Sequence, residues 1–582
     1  MSEDSKANER WWTTLLLRRN AYLSQREGQA ITVLALVIGV LTGLAVVAFI
    51  LVTERLGMRL YPVGSSAWRR VLIPVLGSLG AGYLLAHYFP NARGSGVPQT
   101  KAALFAREGV ITVRTTLGKF LCTSLTLASG IPLGREGPSV QVGGGIASVL
   151  GRHLGLNSEQ VKKLIPAGAA AAIAAAFNTP LAAVMFSLEE IVGDLHSPVM
   201  GAAVLASAAS WLTLRLLLGN DPLFKVPQYQ LVHPLEFGIY ALLGVAGGLV
   251  SVAFSKLLLT TRERFLRLPE RTLWLQPAAG GLLVGLMGWF VPQVLGVGYG
   301  YVGEVLNTGM ALKLMALLVV LKLVAVTTSY GSGNAGGIFG PSLFIGAMLG
   351  GTVGSVAHRL LPAQTATPGA YALVGMGAVF AGVLRAPMTS VLMIFETTRD
   401  YAVIVPLMIA NLVSLFISRR LQRESIYDVL ALQDGIHLPT AETRSQRGSR
   451  HVIRALGPAI ELLKAELTVE EAFETVRSSE LRAWPVIDQR GVIGVVSRSD
   501  MERKLATGDA AKPIATLVDA RNFPHVHADH PLDLALHRMG ATGLDLLPVV
   551  SRANVHKLEG IITLRDVLGS YGVGSQSRES ET

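Results

Sequence analysis

From Ala30 to Thr53 the chain runs for 24 residues without a charged side chain. About 20 apolar residues, each rising about 1.5 Å in a helix, are enough to cross the hydrocarbon of a bilayer. Gly238 to Ser255, Leu323 to Ala357 and Tyr401 to Ser418 are also free of charge. Backbone in lipid must satisfy its own hydrogen bonds, so recurring runs of this kind predict a bundle of membrane helices. The composition agrees, with 50% hydrophobic residues, 16% charged and a mean hydropathy of +0.46. A soluble enzyme, a disulfide-built secreted domain and a fibrous protein are excluded. The chain reads as a polytopic α-helical membrane protein, with the lipid bilayer as its first partner.

Charge and cysteine narrow the function. The net charge of +11 could suggest nucleic acid. In a membrane protein, basic cytoplasmic edges explain it, and no nucleic-acid partner is expected. Arg10, Arg18, Arg19 and Arg26 precede the first span, and Arg419, Arg420 and Arg423 follow the last, which places both termini in the cytoplasm of a cell-membrane protein. The first apolar run is too long for a cleavable signal. Cys122, the single cysteine, has no disulfide partner and reads as a small packed hydrophobe.

Residues 1–29 read as a polar interfacial arm and 30–430 as the membrane domain, with a proline-rich connector near 219–234. Residues 431–452 read as a polar linker, 453–510 and 511–572 as two soluble copies, and 573–582 as a disordered tail. Two repeats organise the rest. Gly137-Pro138-Ser139 recurs as Gly340-Pro341-Ser342 at an offset of 203. Gly168 pairs with Gly375, Pro180 with Pro387 and Glu189 with Glu396 at an offset of 207, giving halves of about 30–220 and 235–420. Weak internal symmetry of glycine- and proline-broken spans marks a secondary transporter with its site at the repeat interface. These offsets leave open whether the halves are inverted. The soluble part repeats at an offset of 63, pairing Pro485-Val486 with Pro548-Val549. Gly494-Val-Val-Ser-Arg-Ser-Asp500 and Gly560-Ile-Ile-Thr-Leu-Arg-Asp566 end the matching β-runs, and this α/β tandem resembles a CBS domain pair.

Three glycine-rich segments in the membrane part run into proline: Gly94-Ser-Gly-Val-Pro98, Gly134-Arg-Glu-Gly-Pro138 and Gly336-Gly-Ile-Phe-Gly-Pro341. Proline marks a helix start, and glycine before it lets the backbone turn and a ligand approach. Three helix N-termini inside the bilayer expose free N–H groups carrying partial positive charge. Together they form an anion site that uses partial charges, which hold an ion loosely enough to release it.

In this order the three segments resemble the signatures of the CLC family of chloride channels and chloride/proton exchangers. The resemblance covers about residues 30–430, and an appended CBS pair fits it. It implies two inverted halves of tilted, partly spanning helices and a homodimer with one pathway per subunit. It also assigns roles to positions of this sequence. Glu136 matches the gating glutamate, and Glu190 the internal glutamate that relays protons in exchangers. The hydroxyls of Ser95 and Tyr427 match groups that contact chloride, as do the backbone amides of Gly137, Ile338 and Phe339. Lys119 matches a lysine of bacterial members, read equally as a charge partner for a membrane acid, and Arg135 reads as a structural salt-bridge residue.

The residues support this independently. An ionisable side chain within the membrane is a functional candidate by default. Glu189 and Glu396 are repeat partners and read as packing or capping groups. Glu136 aligns with Phe339 and Glu190 with Thr397, so the halves differ in chemistry at these two acids. Gly331-Ser-Gly-Asn-Ala-Gly336 and Gly298-Tyr-Gly-Tyr-Val-Gly303 fit a dinucleotide fingerprint only by spacing, since neither lies in a βαβ context. No Walker A sequence or catalytic triad is present, and an enzyme is not expected.

The reading is therefore a chloride/proton exchanger with a glutamate gate, and a passive chloride channel is its rival. Glu190 favours exchange. Ser95 favours chloride over nitrate, since nitrate-preferring members often carry proline there; Ser95→Pro is expected to remove a hydroxyl and an amide from the site. The intact GREGP segment and Tyr427 separate the chain from the fluoride-exporting branch. No cofactor is required. An adenine nucleotide is a candidate ligand of the CBS pair, through Asp500 and Asp566 on ribose and Ser497 and Thr563 on phosphate. The competing reading of these aspartates is a helix N-cap.

Overall fold

The computed structural model describes residues 27–571, apart from 61–63, 65, 196, 220–222, 225, 227–228, 230, 308, 439–450, 458–460, 480, 520–522 and 553. The expected N-terminal arm therefore lies outside the described residues except for its last three, which already belong to the first helix. The C-terminal tail and most of the linker also lie outside them. The chain forms two compact units, 1–438 and 439–582.

In the membrane unit, the first half contains α1 (Glu27–Leu60), α2 (Ala67–His87), α3 (Val97–Phe105), α4 (Val113–Ala128), α5 (Glu136–His153), α6 (Ser158–Phe177), α7 (Pro180–Phe186) and α8 (Met200–Leu218). The second contains α9 (Glu236–Leu266), α10 (Gln276–Phe290), α11 (Tyr299–Leu306), α12 (Leu312–Gly331), α13 (Phe339–Leu360), α14 (Pro368–Leu384), α15 (Pro387–Thr398) and α16 (Ile404–Leu421). Each helix of the first half has its counterpart eight places on. A further helix, α17 (Ile426–Gln433), takes in residues 431–433, which the sequence reading gave to the linker. Among the described residues, seven helices are long and apolar enough to cross a membrane. Others cannot: α3 has nine residues and α11 eight, and nine residues reach only about 14 Å.

The halves meet about a two-fold axis. Gly134 and Gly337, equivalent at the offset of 203, exchange N–H···O bonds of 2.7 Å each in an antiparallel bridge. Equivalent backbone thus runs in opposite directions at the centre, as inverted halves require. The glutamates obey the same symmetry. Glu189 accepts the amides of Met388 and Thr389 at 3.3 and 2.9 Å, at the start of α15. Glu396 accepts those of Leu181 and Ala182 at 2.9 and 2.7 Å, at the start of α7. Each carboxylate caps a helix of the other half, where orphan amides and the helix dipole favour negative charge.

Glycine sets the packing within each half. A Cβ on Gly143 of α5 would come within 2.2 Å of the Gly168 carbonyl oxygen on α6. On Gly346 of α13 it would come within 2.4 Å of the Gly375 carbonyl oxygen on α14. Backbone-to-backbone approach of this kind is how membrane helices associate without a hydrophobic driving force.

The soluble unit contains β1 (Leu463–Lys464), α18 (Val469–Thr475), β2 (Ala483–Asp488), β3 (Gly491–Ser497) and α19 (Arg498–Ala506), then α20 (Leu532–Thr542), β4 (Leu546–Val550), β5 (Leu558–Thr563) and α21 (Leu564–Ser570). Strands β2–β3 and β4–β5 pair antiparallel, with a register shift after Val486 and after Val549, equivalent residues 63 apart. The copies are not separated by a linear cut. Val452, placed in the linker by the sequence reading, packs in the second core with Leu532 and Ile562, and Gly457 bridges to Ile561. Ile514, beyond the expected boundary at 510, packs in the first core with Leu463 and Trp484. Each copy is completed by the segment leading into the other.

Candidate anion and proton site

Three helix starts converge at the pseudo-two-fold axis. Gly94 and Gly96 have φ of +86° and +104°, conformations that glycine adopts at little cost. They turn the chain sharply around Ser95 and into α3. The turn is fixed from three sides. The Lys119 ammonium donates to the Gly94 carbonyl at 2.7 Å, the Ser95 amide donates to the Tyr330 hydroxyl at 3.2 Å, and the Gly96 amide donates to Gln99 Oε1 at 2.8 Å. Lys119 is thus a brace of the loop. The Ser95 amide, expected to face the ion beside its hydroxyl, is directed to Tyr330 instead.

The start of α5 packs against this turn. A Cβ on Gly137 would lie 2.6 Å from the Ser95 carbonyl oxygen and 2.8 Å from its Oγ, and only glycine at 137 allows that approach. Gly337, just before α13, is the next neighbour, with its Cβ position 3.1 Å from the Gly137 nitrogen. Ile338 and Phe339 are fully buried at the start of α13, and the Phe339 ring is held among Phe177, Phe186 and Phe380. Tyr427, near the start of α17, is also fully buried. Its hydroxyl and that of Ser95 are close neighbours that face each other, and neither bonds any other group among the described residues. The structure therefore brings together Ser95, Gly137, Ile338, Phe339 and Tyr427. Two hydroxyl donors and the orphan amides of helix starts form the chemistry of an anion site.

Glu136 opens α5 and is fully buried. Its Oε1 accepts the Tyr299 hydroxyl, and its Oε2 accepts the Gly340 amide of α13 at 3.2 Å. The carboxyl group thus sits at the N-terminus of α13. The neighbouring Arg135 pairs with Glu54 at 3.1 Å, the structural role expected of it.

Glu190 lies in a π turn, Ser187–Val192, which continues α7; the equivalent stretch of α15 stays α-helical. Such turns occur disproportionately at functional sites. Glu190 pairs with Lys101 at 2.9 Å, and Lys101 pairs with Asp428 at 2.9 Å, one residue from Tyr427. The ion-pair chain therefore ends beside Tyr427.

Sequence reasoning missed Lys101, Asp428, Tyr330 and Tyr299. Signals existed for two of them. Lys101 is a lone cation in a short apolar helix that follows a filter motif. Tyr299 lies in the segment dismissed as a false dinucleotide fingerprint, which begins within the second-half counterpart of the Ser95 turn: Gly296 and Gly298 have φ of +62° and +88°, and Lys322 donates to the Gly296 carbonyl at 2.6 Å, as Lys119 does to Gly94. In the soluble unit, Ser497 and Thr563 cap α19 and α21 and donate to Asp500 and Asp566 at 2.6 Å each. All four predicted residues thus take part in helix capping.

Comparison with known proteins follows the same division. The voltage gated chloride channel family model matches residues 76–419, and the CBS domain model matches 458–507 and 517–572. The H(+)/Cl(-) exchange transporter ClcA of Vibrio campbellii is 33% identical over 354 residues, 60% of this chain and 76% of that protein. A ClcB-like protein of Ralstonia nicotianae is 34% identical over 366 residues, 62% of this chain and 85% of that protein. A slow cyanobacterial Cl-/H+ antiporter of known structure is 26% identical, with a TM-score of 0.65 over 69% of this chain and 97% of its own. A eukaryotic CLC transporter, at 20% identity, shares the fold with a TM-score of 0.60 over 92% of this chain and 97% of its own.

Proposed function

The chain belongs to the voltage-gated chloride channel family, and on that footing we propose that it exchanges chloride for protons across the membrane. The seated Glu136 carboxylate carries the reading. An ionised Glu136 competes with chloride for the N-terminus of α13. A proton on it removes the charge that the amides attract, and the neutral side chain leaves the seat. Chloride then meets the Ser95 and Tyr427 hydroxyls and the helix-start amides at Gly137, Ile338 and Phe339.

Glu190 relays the proton. When a proton neutralises it, Lys101 remains paired with Asp428, so no ammonium is stranded in a low-dielectric interior. The test uses purified protein in liposomes, recording chloride efflux and proton movement together. A chloride gradient alone is expected to drive protons uphill. Brisk chloride flux with no proton movement at any pH would favour the passive channel.

We place the protein in the cell membrane with both termini in the cytoplasm, as the basic residues flanking the first and last spans favour. The exchanger works as a homodimer with one pathway per subunit. The CBS pair takes an adenine nucleotide. Supporting this, both bonds from Thr563 to Asp566 fall on Oδ2, leaving Oδ1 for a ribose hydroxyl. Calorimetry on the full-length protein with ATP, ADP and AMP tests this; no heat with any of them would leave the pair as a scaffold.

A further inference from the structure

We infer that Tyr299 is the latch of the Glu136 gate: its hydroxyl holds the carboxylate in its seat and sets the pH at which the pathway opens. This rests on Glu136 being the gate, and the experiment below separates the two.

The seated carboxylate receives one donor on each oxygen, the Gly340 amide at 3.2 Å on Oε2 and the Tyr299 hydroxyl on Oε1. The amide belongs to α13, whose start faces chloride and gate alike. The hydroxyl bonds the gate alone among the described residues. Tyr299 is the first residue of α11, directly after the sharp turn at Gly298. Phe224 meets its ring edge-on at 5.7 Å, and the Arg135 guanidinium lies 5.7 Å from the ring centroid. Gly340 leaves room for the phenol, since a Cβ there would come within 2.7 Å of the Tyr299 hydroxyl and 3.2 Å of Glu136 Oε2.

The internal symmetry isolates what is special about this tyrosine. Gly94-Ser95-Gly96-Val97 and Gly296-Val297-Gly298-Tyr299 are equivalent turns into α3 and α11. In the first, the hydroxyl is on the turn, at Ser95, and faces only the Tyr427 hydroxyl among the described residues. In the second, valine replaces that serine, and the hydroxyl moves to the first helical residue, where it bonds Glu136. One half presents its hydroxyl to the ion and the other to the gate.

The chemistry gives the direction. A phenol bonds an ionised carboxylate more strongly than a neutral carboxyl group, because charge-assisted hydrogen bonds are the stronger class. The latch therefore favours the ionised, seated state and resists opening. Of the other ionisable groups around the latch, Arg135, just before α5, is turned to Glu54, Lys322 on α12 donates to the Val294 and Gly296 carbonyls, Tyr427 on α17 lies beyond the Ser95 hydroxyl, and the first turn of α13 carries none.

The test compares chloride turnover as a function of pH in liposomes for the wild type, Tyr299→Phe, Glu136→Gln and the double variant. Tyr299→Phe keeps the ring and removes one oxygen. It is expected to move the pH of half-maximal turnover upward by about one unit, the worth of one hydrogen bond to a charged group. Gly340→Ala, which crowds the hydroxyl while leaving it present, should move the profile in the same direction. In the Glu136→Gln background, Tyr299→Phe should change nothing. Profiles that superimpose on the wild type for both Tyr299→Phe and Gly340→Ala would overturn the latch. An equal effect of Tyr299→Phe with and without the Glu136 carboxylate would overturn it too, reducing Tyr299 to packing. A Glu136→Gln protein that keeps the wild-type pH dependence would instead remove the gate itself.

Discussion

A buried hydroxyl without a protein partner costs free energy unless something else takes its proton. Among the described residues, Ser95 and Tyr427 carry two hydroxyls side by side with no other partner, and a chloride ion between them would satisfy both. Ser95→Ala should therefore weaken chloride binding about tenfold or more, measured by calorimetry, since a hydrogen bond to a charged partner is worth about 1.5–3 kcal/mol. Alanine is the cleaner substitution, because proline would also remove the amide that holds the turn to Tyr330. The two glutamates should separate in flux measurements. Glu136→Gln should keep anion flux and lose both its pH dependence and its proton coupling. Glu190→Gln should abolish proton movement and leave anion flux measurable; coupling retained there would make Glu190 structural. Glu136, Ser95 and Tyr427 were legible in the sequence because short motifs fix their surroundings. Lys101 and Asp428 were not, because their pairing joins residues 327 positions apart and no motif spans that distance.

Helices pack in this protein by letting backbones touch. Gly346→Ala would force a Cβ to within 2.4 Å of the Gly375 carbonyl oxygen, which no rotamer change can relieve. It should destabilise the α13–α14 pair by about 1–3 kcal/mol, seen as a lower thermal midpoint in detergent. Gly300→Ala, on α11 with open space around its Cβ position, should not. The elements themselves were largely legible, since apolar runs and proline starts marked them. Their direction was not, because a sequence offset is the same for parallel and inverted repeats. The exchange of segments between the CBS copies was hidden for a similar reason. A repeat read along the chain leaves Val452 in the linker and assigns Ile514 to the second copy, whereas apolar burial places Val452 in the second core and Ile514 in the first.

At the scale of the whole membrane unit, the reciprocal caps of Glu189 and Glu396 bear on how the protein is made. A ribosome delivers the first half to the membrane well before the second exists. During that interval the amides at the start of α7 await a carboxylate that has not yet been synthesised, and Glu189 has no helix to cap. Neither half is a finished object on its own. Fragments divided in the 219–234 connector should be unstable when expressed singly and should assemble into a transporting protein when co-expressed, as checked by co-purification and chloride flux. A first half that accumulated stably by itself would contradict this. Biogenesis of this chain should therefore have its slow, chaperone-dependent interval at the midpoint of translation, when half a symmetric structure waits in the lipid for its twin.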